Sequence, residues 1–392
     1  MTSDFLVVGG GVMGLTTALA IRQKFADQSV TVIEKDHCGA HASGRNSGVL
    51  HAGFYYGEDS LKARFSVEGC ARMTRWCEDR DLPIRKCGKL VVARTTAQHG
   101  GLDTLLERAA LNGVALESIT ASEAREIEPR VKTCERALFS PSTASVDPTA
   151  VMASLLAEAR ERGIDVVEGE AYLGRSGEGI RTDAGHRECG YLVNAAGVYA
   201  DRVAADHGFG ASYGILPFKG LYLYGNSGAG PLNCHVYPVP DLGMPFLGVH
   251  FTVTTGGDVK IGPTATPAFW REHYVGLGGF SAAEFVDVVG REGRMALFDG
   301  GFRRHAVAEL RKMSRRALVA DASGLLEGVR VEDYRRWGRP GIRAQLVDRQ
   351  TSELVMDFVV ESDASSLHLL NAISPGFTCS LPFADWLVEQ IH

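Results

Sequence analysis

The feature that most constrains the fold is a glycine-rich turn near the N-terminus. The apolar residues 5–8 are followed at once by Gly9-x-Gly11-x-x-Gly14, and helical composition continues through residues 15–25. Such a short apolar run is typical of a buried parallel strand. The three glycines allow a tight turn, close approach of backbone to a ligand, and close packing of helix on strand. Because the N–H groups that begin a helix bind phosphate, the pattern predicts a Rossmann-like unit for a dinucleotide.

An acidic residue stands where a dinucleotide-binding unit needs one. A second apolar strand, residues 30–33, leads into Glu34, twenty residues after Gly14. A carboxylate there accepts hydrogen bonds from an adenosine ribose, which argues against a 2′-phosphorylated cofactor. The alternative is a glycine-rich turn in an unrelated α/β unit, but the strand, helix, second strand and acid all have the expected spacing.

The rest of the chain favours FAD over NAD. An NAD domain usually continues as a compact alternation of strands and helices. Here a polar, glycine-punctuated loop follows. A candidate strand that ends in glycine comes much later, at residues 191–197, and residues 367–371 lead into a third glycine-bearing segment at 374–378. Spread over the chain, they suit a large cofactor in a discontinuous domain. The candidate FAD contacts are Gly9, Gly11, Gly14, Glu34, Ser43, Arg45, Asn46, Ser47, Gly197, Gly376, Phe377 and Thr378.

Composition excludes several other classes. At 392 residues the chain favours two domains, and a net charge of −6 without blocks of like charge makes a nucleic-acid partner improbable. None of the eight cysteines forms a Cys-x-x-Cys pair, which indicates a reducing compartment and no zinc site. His37 and His41 have no third ligand nearby in sequence, so no metal is expected. The first residues lack a basic segment, and we expect a cytoplasmic protein.

Longer motifs carry a family resemblance. They are Arg45-Asn46-Ser47-Gly48-Val49-Leu50-His51-Ala52-Gly53-Phe54-Tyr55-Tyr56, Tyr237-Pro238-Val239-Pro240-Asp241, Pro245-Phe246-Leu247-Gly248-Val249-His250-Phe251-Thr252 and Gly341-Ile342-Arg343-Ala344-Gln345. The chain resembles the L-2-hydroxyglutarate dehydrogenase/oxidase family, within the FAD-dependent D-amino-acid-oxidase-type (DAO) superfamily. The resemblance implies a mixed α/β fold with two interleaved domains. A Rossmann-like FAD-binding domain would take residues 1–85, 142–208 and 338–392, and a mixed or antiparallel-sheet substrate domain residues 86–141 and 209–337. In the latter, residues 216–224, 249–254 and 258–261 have the pattern of antiparallel strands.

The resemblance also implies a reaction and its residues. It implies FAD-dependent oxidation of a small 2-hydroxy acid, most specifically L-2-hydroxyglutarate to 2-oxoglutarate, with oxygen or a quinone as electron acceptor. His250 and His51 are the candidate bases, because they alone of twelve histidines lie in the family motifs. Arg343 is the candidate for the substrate carboxylate. The alternatives are a structural imidazole and a structural ion pair. Further candidate substrate contacts are Lys219, Tyr56 and Tyr237, with Arg45 as another cation.

Other readings remain open at this stage. Pro217-Phe218-Lys219-Gly220 is followed by Leu221, where the family commonly has an acid. The chain could therefore be a related flavin oxidase of an amino acid, an amine or another 2-hydroxy acid. A flavin-binding scaffold without turnover has no need of Arg343 and the two histidines. Residues 302–318 have the pattern of a basic amphipathic helix, so peripheral contact with the inner face of a membrane is one expectation, and a solvated basic face is the other.

Overall fold

The computed structural model describes residues 2–177, 179–241, 247–298, 306 and 309–391. The helices are α1 Val12–Lys24, α2 Leu61–Glu78, α3 His99–Leu111, α4 Ala121–Ile127, α5 Pro148–Glu161, α6 Ala200–Asp206, α7 Ala282–Phe298, α8 Arg315–Ala322 and α9 Gly376–Glu389. The strands are β1 Thr2–Val8, β2 Val30–Glu34, β3 Val49–Leu50, β4 Ile84–Arg85, β5 Lys89–Val92, β6 Glu117–Thr120, β7 Arg136–Ser140, β8 Ala144–Val146, β9 Asp165–Glu168, β10 Tyr172–Ser176, β11 Gly179–Thr182, β12 Gly185–Asn194, β13 Tyr213–Gly220, β14 Leu223–Gly225, β15 His235–Pro238, β16 His250–Val253, β17 Val259–Gly262, β18 Thr266–Pro267, β19 Tyr334–Trp337, β20 Gly341–Asp348, β21 Val359–Ser362 and β22 Ser366–Asn371.

The chain forms two compact units, each assembled from separate segments. Unit 1 is Met1–Asn46, Pro148–Pro217 and Ile342–His392, and unit 2 is Ser47–Asp147 and Phe218–Gly341. Residues 47–85, which the family resemblance assigns to the FAD-binding domain, belong to unit 2 by their contacts. The reason is strand pairing, because β3 and β4 both pair with β8. Which segments bind FAD, and so make up the predicted FAD-binding domain, stays a prediction.

Unit 1 is built on a sheet whose central strands are parallel. The order is β10-β11-β12-β1-β2-β9, and β22 adds to β12. The pairs of β1 with β2 and β12, of β2 with β9, and of β12 with β22 are all parallel. Helix α1 packs against α5 and α9. Apolar strands buried on both faces form the core, and the expected Rossmann-like, mixed α/β fold is confirmed.

Unit 2 is built on an eight-stranded mixed sheet, in the order β19-β14-β17-β16-β15-β5-β7-β6. Its strand register places one row of apolar side chains across five strands. That row is Leu223, Ile261, Phe251, Val236 and Leu90, all within one buried cluster. Because side chains alternate between faces, the neighbouring positions point to the opposite face. There the same strands carry Lys89, His235, Tyr237, His250, Thr252 and Lys260, a set that we call the polar face.

Two predicted elements differ from the structure. Residues 216–224, predicted as one strand, divide into β13 and β14, because the Leu221 backbone bonds both to the Thr264 side chain and to its N–H. The predicted helix over residues 302–318 is not continuous in its described part, since residues 312–314 form turns before α8 begins. Residues 302–305 and 307–308 lie outside the described residues. Among the helices that the structure describes, none combines the length and the apolar character needed to cross a membrane.

Candidate active site

The glycine turn in unit 1 is fixed by close backbone packing. Gly9 has φ +113°, and a Cβ there would lie 2.5 Å from the Ala195 carbonyl oxygen. A Cβ at Gly14 would lie 1.8 Å from the Gly9 carbonyl oxygen. A Cβ at Gly11 would instead meet only Ser43 Oγ, at 3.0 Å. Packing within the described protein therefore explains Gly9 and Gly14, whereas the space at Gly11 fits a ligand that approaches the backbone closely, as a pyrophosphate does.

The start of α1 suits an anion. Gly11 is the N-cap residue, and the first turn carries no acidic side chain. The Val12 N–H donates to Ser43 Oγ at 2.9 Å, which holds the following loop against the helix start. The positive end of the helix dipole is therefore not neutralised by a carboxylate of that turn, and the arrangement fits the phosphates of FAD.

Glu34 lies buried at the end of β2, beside the turn. Its Oε2 accepts from the Gly10 N–H at 2.8 Å and its Oε1 from the Asp36 N–H at 3.0 Å. These two bonds orient the carboxylate, and the second lone pair of each oxygen suits a ribose hydroxyl. Ligand atoms of Glu34, Asp36 and His41 come within 4.8 Å of one another. Hydrogen bonding accounts for this cluster, since His41 Nε2 also bonds to Asp36 Oδ2 at 2.8 Å.

The polar loop after β2 is held by its own backbone. Arg45 Nε donates to the Ala40 carbonyl at 2.6 Å, and Asn46 Nδ2 donates to the Ser43 carbonyl at 2.7 Å. Ser47 Oγ accepts from the Val49 N–H at 3.2 Å. These contacts give the side chains a role in shaping the loop. Direct contact of Arg45, Asn46 and Ser47 with FAD stays a prediction.

The two remaining glycine segments also lie in unit 1. Gly197 follows β12 with φ +58°, and nothing in the described protein lies within 4 Å of a Cβ placed there. Gly376 begins α9, where a Cβ would lie 3.0 Å from Met13 Cε in the first turn of α1. Thr378 is buried in the same first turn of α9, next to the half-buried Phe377. The structure therefore brings the start of α9 to the start of α1, although contact of these residues with FAD is still untested.

The polar face of unit 2 holds a fully buried lysine in a cage of rings. Lys89 Nζ lies 4.6 Å from the ring centroid of Phe54, 4.5 Å from that of Tyr55 and 4.9 Å from that of Tyr237. None of the described residues accepts a hydrogen bond from this amine. Burial lowers the pKa of Lys89 to about 7, because an ammonium loses its hydration there.

His250 lies on the same face in an orientation that suits a base. Its Nδ1 lies 2.9 Å from the Gly248 carbonyl oxygen, which can only accept, so Nδ1 carries the proton and Nε2 has a free lone pair. The ring stacks on Tyr237 with centroids 3.7 Å apart and planes 16° apart. Burial, together with the positive charges of Lys89 and Lys260, lowers the pKa of His250 to about 3. The imidazole is therefore neutral at neutral pH and able to accept a proton.

Two further histidines accompany it. His51, in the loop after β3, is buried, and burial and then Lys89 and His250 hold its pKa well below the usual value. His235 is tied into the fold, since its Nδ1 accepts from the Val253 N–H at 3.1 Å and its Nε2 lies 3.3 Å from Ser145 Oγ. We therefore regard His235 as a structural imidazole, whereas His51 and His250 remain candidates for the base.

A second buried lysine makes this face cationic. Lys260 Nζ donates to the Ser47 carbonyl at 2.9 Å and lies 4.6 Å from the Tyr222 ring centroid. Burial lowers the pKa of Lys260 to about 8. Within the described part of the chain, no carboxylate lies within 4 Å of Lys89 or Lys260. Neither lysine was predicted as a site residue from the sequence, although one lysine inside a short, otherwise apolar strand was a usable signal.

The other predicted substrate contacts have more ordinary surroundings. Arg343, in unit 1, is half-buried, and its Nε donates to Gln345 Oε1 at 3.3 Å. Lys219, in unit 2, is half-buried, and desolvation lowers its pKa. The Tyr56 ring lies 5.7 Å from Lys62 Nζ. Tyr237 stacks on the candidate base His250. The substrate roles of Arg343, Lys219, Tyr56 and Tyr237 all stay predictions.

Comparison with known proteins agrees with these features. A family model described as FAD dependent oxidoreductase (DAO) matches residues 4–390. The L-2-hydroxyglutarate dehydrogenase of Escherichia coli (strain K12) is 31% identical over 399 residues, covering 99% of this chain and 93% of that protein. The mitochondrial L-2-hydroxyglutarate dehydrogenase of Homo sapiens is 32% identical, covering 99% of this chain and 88% of that protein.

Solved structures share the fold. L-alpha-glycerophosphate oxidase from Mycoplasma pneumoniae, with FAD bound, superposes with a TM-score of 0.78 at 21% identity, covering 99% of this chain and 94% of that one. Glycine oxidase from Geobacillus kaustophilus superposes with a TM-score of 0.73 at 19% identity, covering 100% of this chain and 94% of that one. The glycine turn at residues 9–14, Glu34 and Ser43 together form a cradle that fits FAD. From this cradle, the full-length family match and the near-full-length relatives, we conclude that the chain belongs to the DAO family of FAD-dependent oxidoreductases and, within it, to the L-2-hydroxyglutarate dehydrogenase family.

Proposed function

We propose that this protein oxidises L-2-hydroxyglutarate to 2-oxoglutarate with FAD as its cofactor. The observation that carries the proposal is the polar face, where a neutral imidazole with a free Nε2 lies among buried cations. A base and a positive surrounding are what a 2-hydroxy acid needs, because its hydroxyl must lose a proton and its carboxylates are negative. The relatives at 31% and 32% identity, both named L-2-hydroxyglutarate dehydrogenase, support this particular acid.

The work divides between FAD and three groups of residues. FAD, when bound, supplies the acceptor for the two electrons and the hydrogen that leave C2. His250 accepts the hydroxyl proton at Nε2 and hands it on through its protonated form, and His51 is the alternative base. Arg343 binds the carboxylate next to C2, because its planar guanidinium forms two parallel charge-assisted hydrogen bonds. Lys219, Tyr56 and Tyr237 bind the remainder of the diacid.

The electron acceptor and the location belong to the same proposal. We propose oxygen or a quinone as the acceptor, and a cytoplasmic, reducing environment, because all eight cysteines are free thiols. Peripheral contact of the basic residues 302–318 with the inner face of a membrane is retained as a prediction. Flotation with anionic vesicles tests it, since binding driven by charge weakens as salt rises.

The deciding experiment is anaerobic bleaching of the bound flavin. We expect L-2-hydroxyglutarate to bleach it. The D-enantiomer should do so poorly, because a site that contacts the carboxylate, the hydroxyl and the C2–H together fits only one configuration at C2. Bleaching by amino acids or amines alone would favour the related oxidase that Leu221 keeps open. A protein that no candidate bleaches would be a flavin-binding scaffold. Re-oxidation of the bleached enzyme by air or by a soluble quinone then identifies the acceptor.

A further inference from the structure

The most unusual group outside the assigned machinery is the buried amine of Lys89. Its side chain has no exposed surface, and its Nζ has no hydrogen-bond acceptor among the described residues. A buried charge normally has a partner of opposite charge, because losing hydration is costly. The three rings around Lys89 offset only a part of that cost. A residue kept in such surroundings calls for a role other than stability.

The geometry connects this amine to the candidate base through one ring. Lys89 Nζ lies 4.9 Å from the centroid of Tyr237, and the same ring stacks on the His250 imidazole at 3.7 Å. The strand register supports this arrangement, because Lys89 and Tyr237 lie on the paired strands β5 and β15. Tyr237 is itself almost completely buried, so the rings have little freedom to separate.

We propose that Lys89 is a positioning residue for the reaction, which seats the Tyr237 ring under the His250 imidazole and places a positive charge beside that imidazole. The charge keeps the resting imidazole unprotonated down to low pH, so that its Nε2 lone pair is available to the substrate hydroxyl. This inference rests on the proposed function only for its kinetic measurement. It names a residue that acts through His250 and need not touch the substrate.

The charges around the two candidate bases differ in a useful way. His250 is faced by Lys89 on β5, Lys260 on β17 and Tyr237 on β15, and it bonds to the Gly248 carbonyl. His51 is faced by Lys89 and His250, and Lys260 does not contribute to the shift of its pKa. Replacing each lysine therefore affects the two histidines unequally.

The test uses Lys89→Met in the FAD-loaded protein. Methionine is similar in length to lysine, so the variant should fold. Methionine carries no charge, so the substitution removes the buried unpaired charge. The rate of flavin reduction by L-2-hydroxyglutarate should fall at low pH as the base becomes protonated, and we call this part of the pH profile the acid limb. In Lys89→Met we expect the midpoint of the acid limb to move to a pH higher by about one to two units, from Coulomb's law at an effective dielectric constant of about 20. Lys89→Arg, which keeps the charge, should leave the limb near its wild-type position.

Lys260→Met identifies the histidine that is involved. If His250 is the base, this variant moves the acid limb in the same direction and by less than Lys89→Met does. A limb that moves in Lys89→Met and stays unchanged in Lys260→Met overturns the assignment to His250, because His51 is the candidate base that Lys89 influences and Lys260 does not. A limb unchanged in both variants overturns the proposal.

A direct measurement needs neither activity nor a variant. In protein labelled with carbon-13 at histidine Cε1, the His250 signal should step as Lys89 titrates, and burial lowers the pKa of Lys89 to about 7. A wild-type His250 signal flat across that range overturns the proposal even if Lys89→Met fails to fold. Failure of L-2-hydroxyglutarate to bleach the flavin, with this step present, overturns the proposed substrate and leaves the role of Lys89 intact.

Discussion

The cradle of unit 1 and the polar face of unit 2 handle buried polar groups in opposite ways. In the cradle, the Glu34 carboxylate and the Ser43 hydroxyl are bonded to backbone N–H groups, and glycines fix the shape. On the polar face, Lys89 Nζ and His250 Nε2 are buried without partners among the described residues. The comparison teaches that the predicted cofactor cradle orients its polar side chains with backbone hydrogen bonds, whereas the proposed proton-transfer site keeps a histidine lone pair and an amine without partners in the described protein.

The largest expected effect comes from breaking the cradle. In Gly14→Ala the new Cβ would lie 1.8 Å from the Gly9 carbonyl oxygen, so the turn must open. We expect a protein that retains no FAD or aggregates, measured as the ratio of flavin to protein absorbance. The matched control is Gly290→Ala in α7, where the new Cβ meets nothing within 4 Å in the described protein. A Gly14→Ala variant with full flavin would show that the cradle is not set by this contact.

The next effect separates charge from geometry at the substrate carboxylate. Arg343→Lys keeps the positive charge and loses the second parallel hydrogen bond. A charge-assisted hydrogen bond is worth about 1.5–3 kcal/mol, so kcat/KM should fall roughly tenfold to a hundredfold, with a raised KM. Steady-state kinetics with L-2-hydroxyglutarate measure this, and unchanged flavin content serves as the control. A kcat/KM equal to that of the wild type would remove Arg343 from the substrate site.

The smallest expected effect is on stability and tests whether the polar face is strained. Burial lowers the pKa of Lys260 to about 8 from an ordinary value of 10.5. The unfolded chain therefore binds more protons, and the wild-type protein loses stability as the pH falls from about 10.5 towards 8. Lys260→Met has no such loss. Its free energy of unfolding minus that of the wild type should therefore be larger at pH 7 than at pH 10, by up to about 3 kcal/mol. Urea unfolding at both pH values measures the gain, and a pH-independent difference would contradict it.

The cradle could be predicted from the sequence because its parts are close together along the chain. The turn at Gly9, the helix after it and the acid at Glu34 all lie within one βαβ stretch, and each has the predicted structure. Local spacing was sufficient there, since the chemistry depends on backbone geometry that a short segment defines.

The polar face could be predicted only in part, because strand register creates it. Tyr237 and His250 were identified from motifs, but Lys89 and Lys260 come from strands far apart in sequence. A single lysine in an apolar strand does not reveal which histidine it will face. The break of the predicted strand at Leu221 was missed for the same reason, since its partner Thr264 is 43 residues away.

The most direct test of the account is single-turnover reduction of the flavin by L-2-hydroxyglutarate, without oxygen, in the wild type, His250→Asn and His51→Asn. Removing a general base costs roughly 10²–10⁴ in rate, so His250→Asn should slow reduction by that factor while its flavin content and substrate affinity change little. His51→Asn should cost one or two powers of ten, about 1.4–2.8 kcal/mol in activation free energy, and retain the ionisation of the base. Reduction at the wild-type rate in His250→Asn, with an unchanged dependence on pH, would contradict the assignment of the base to this histidine.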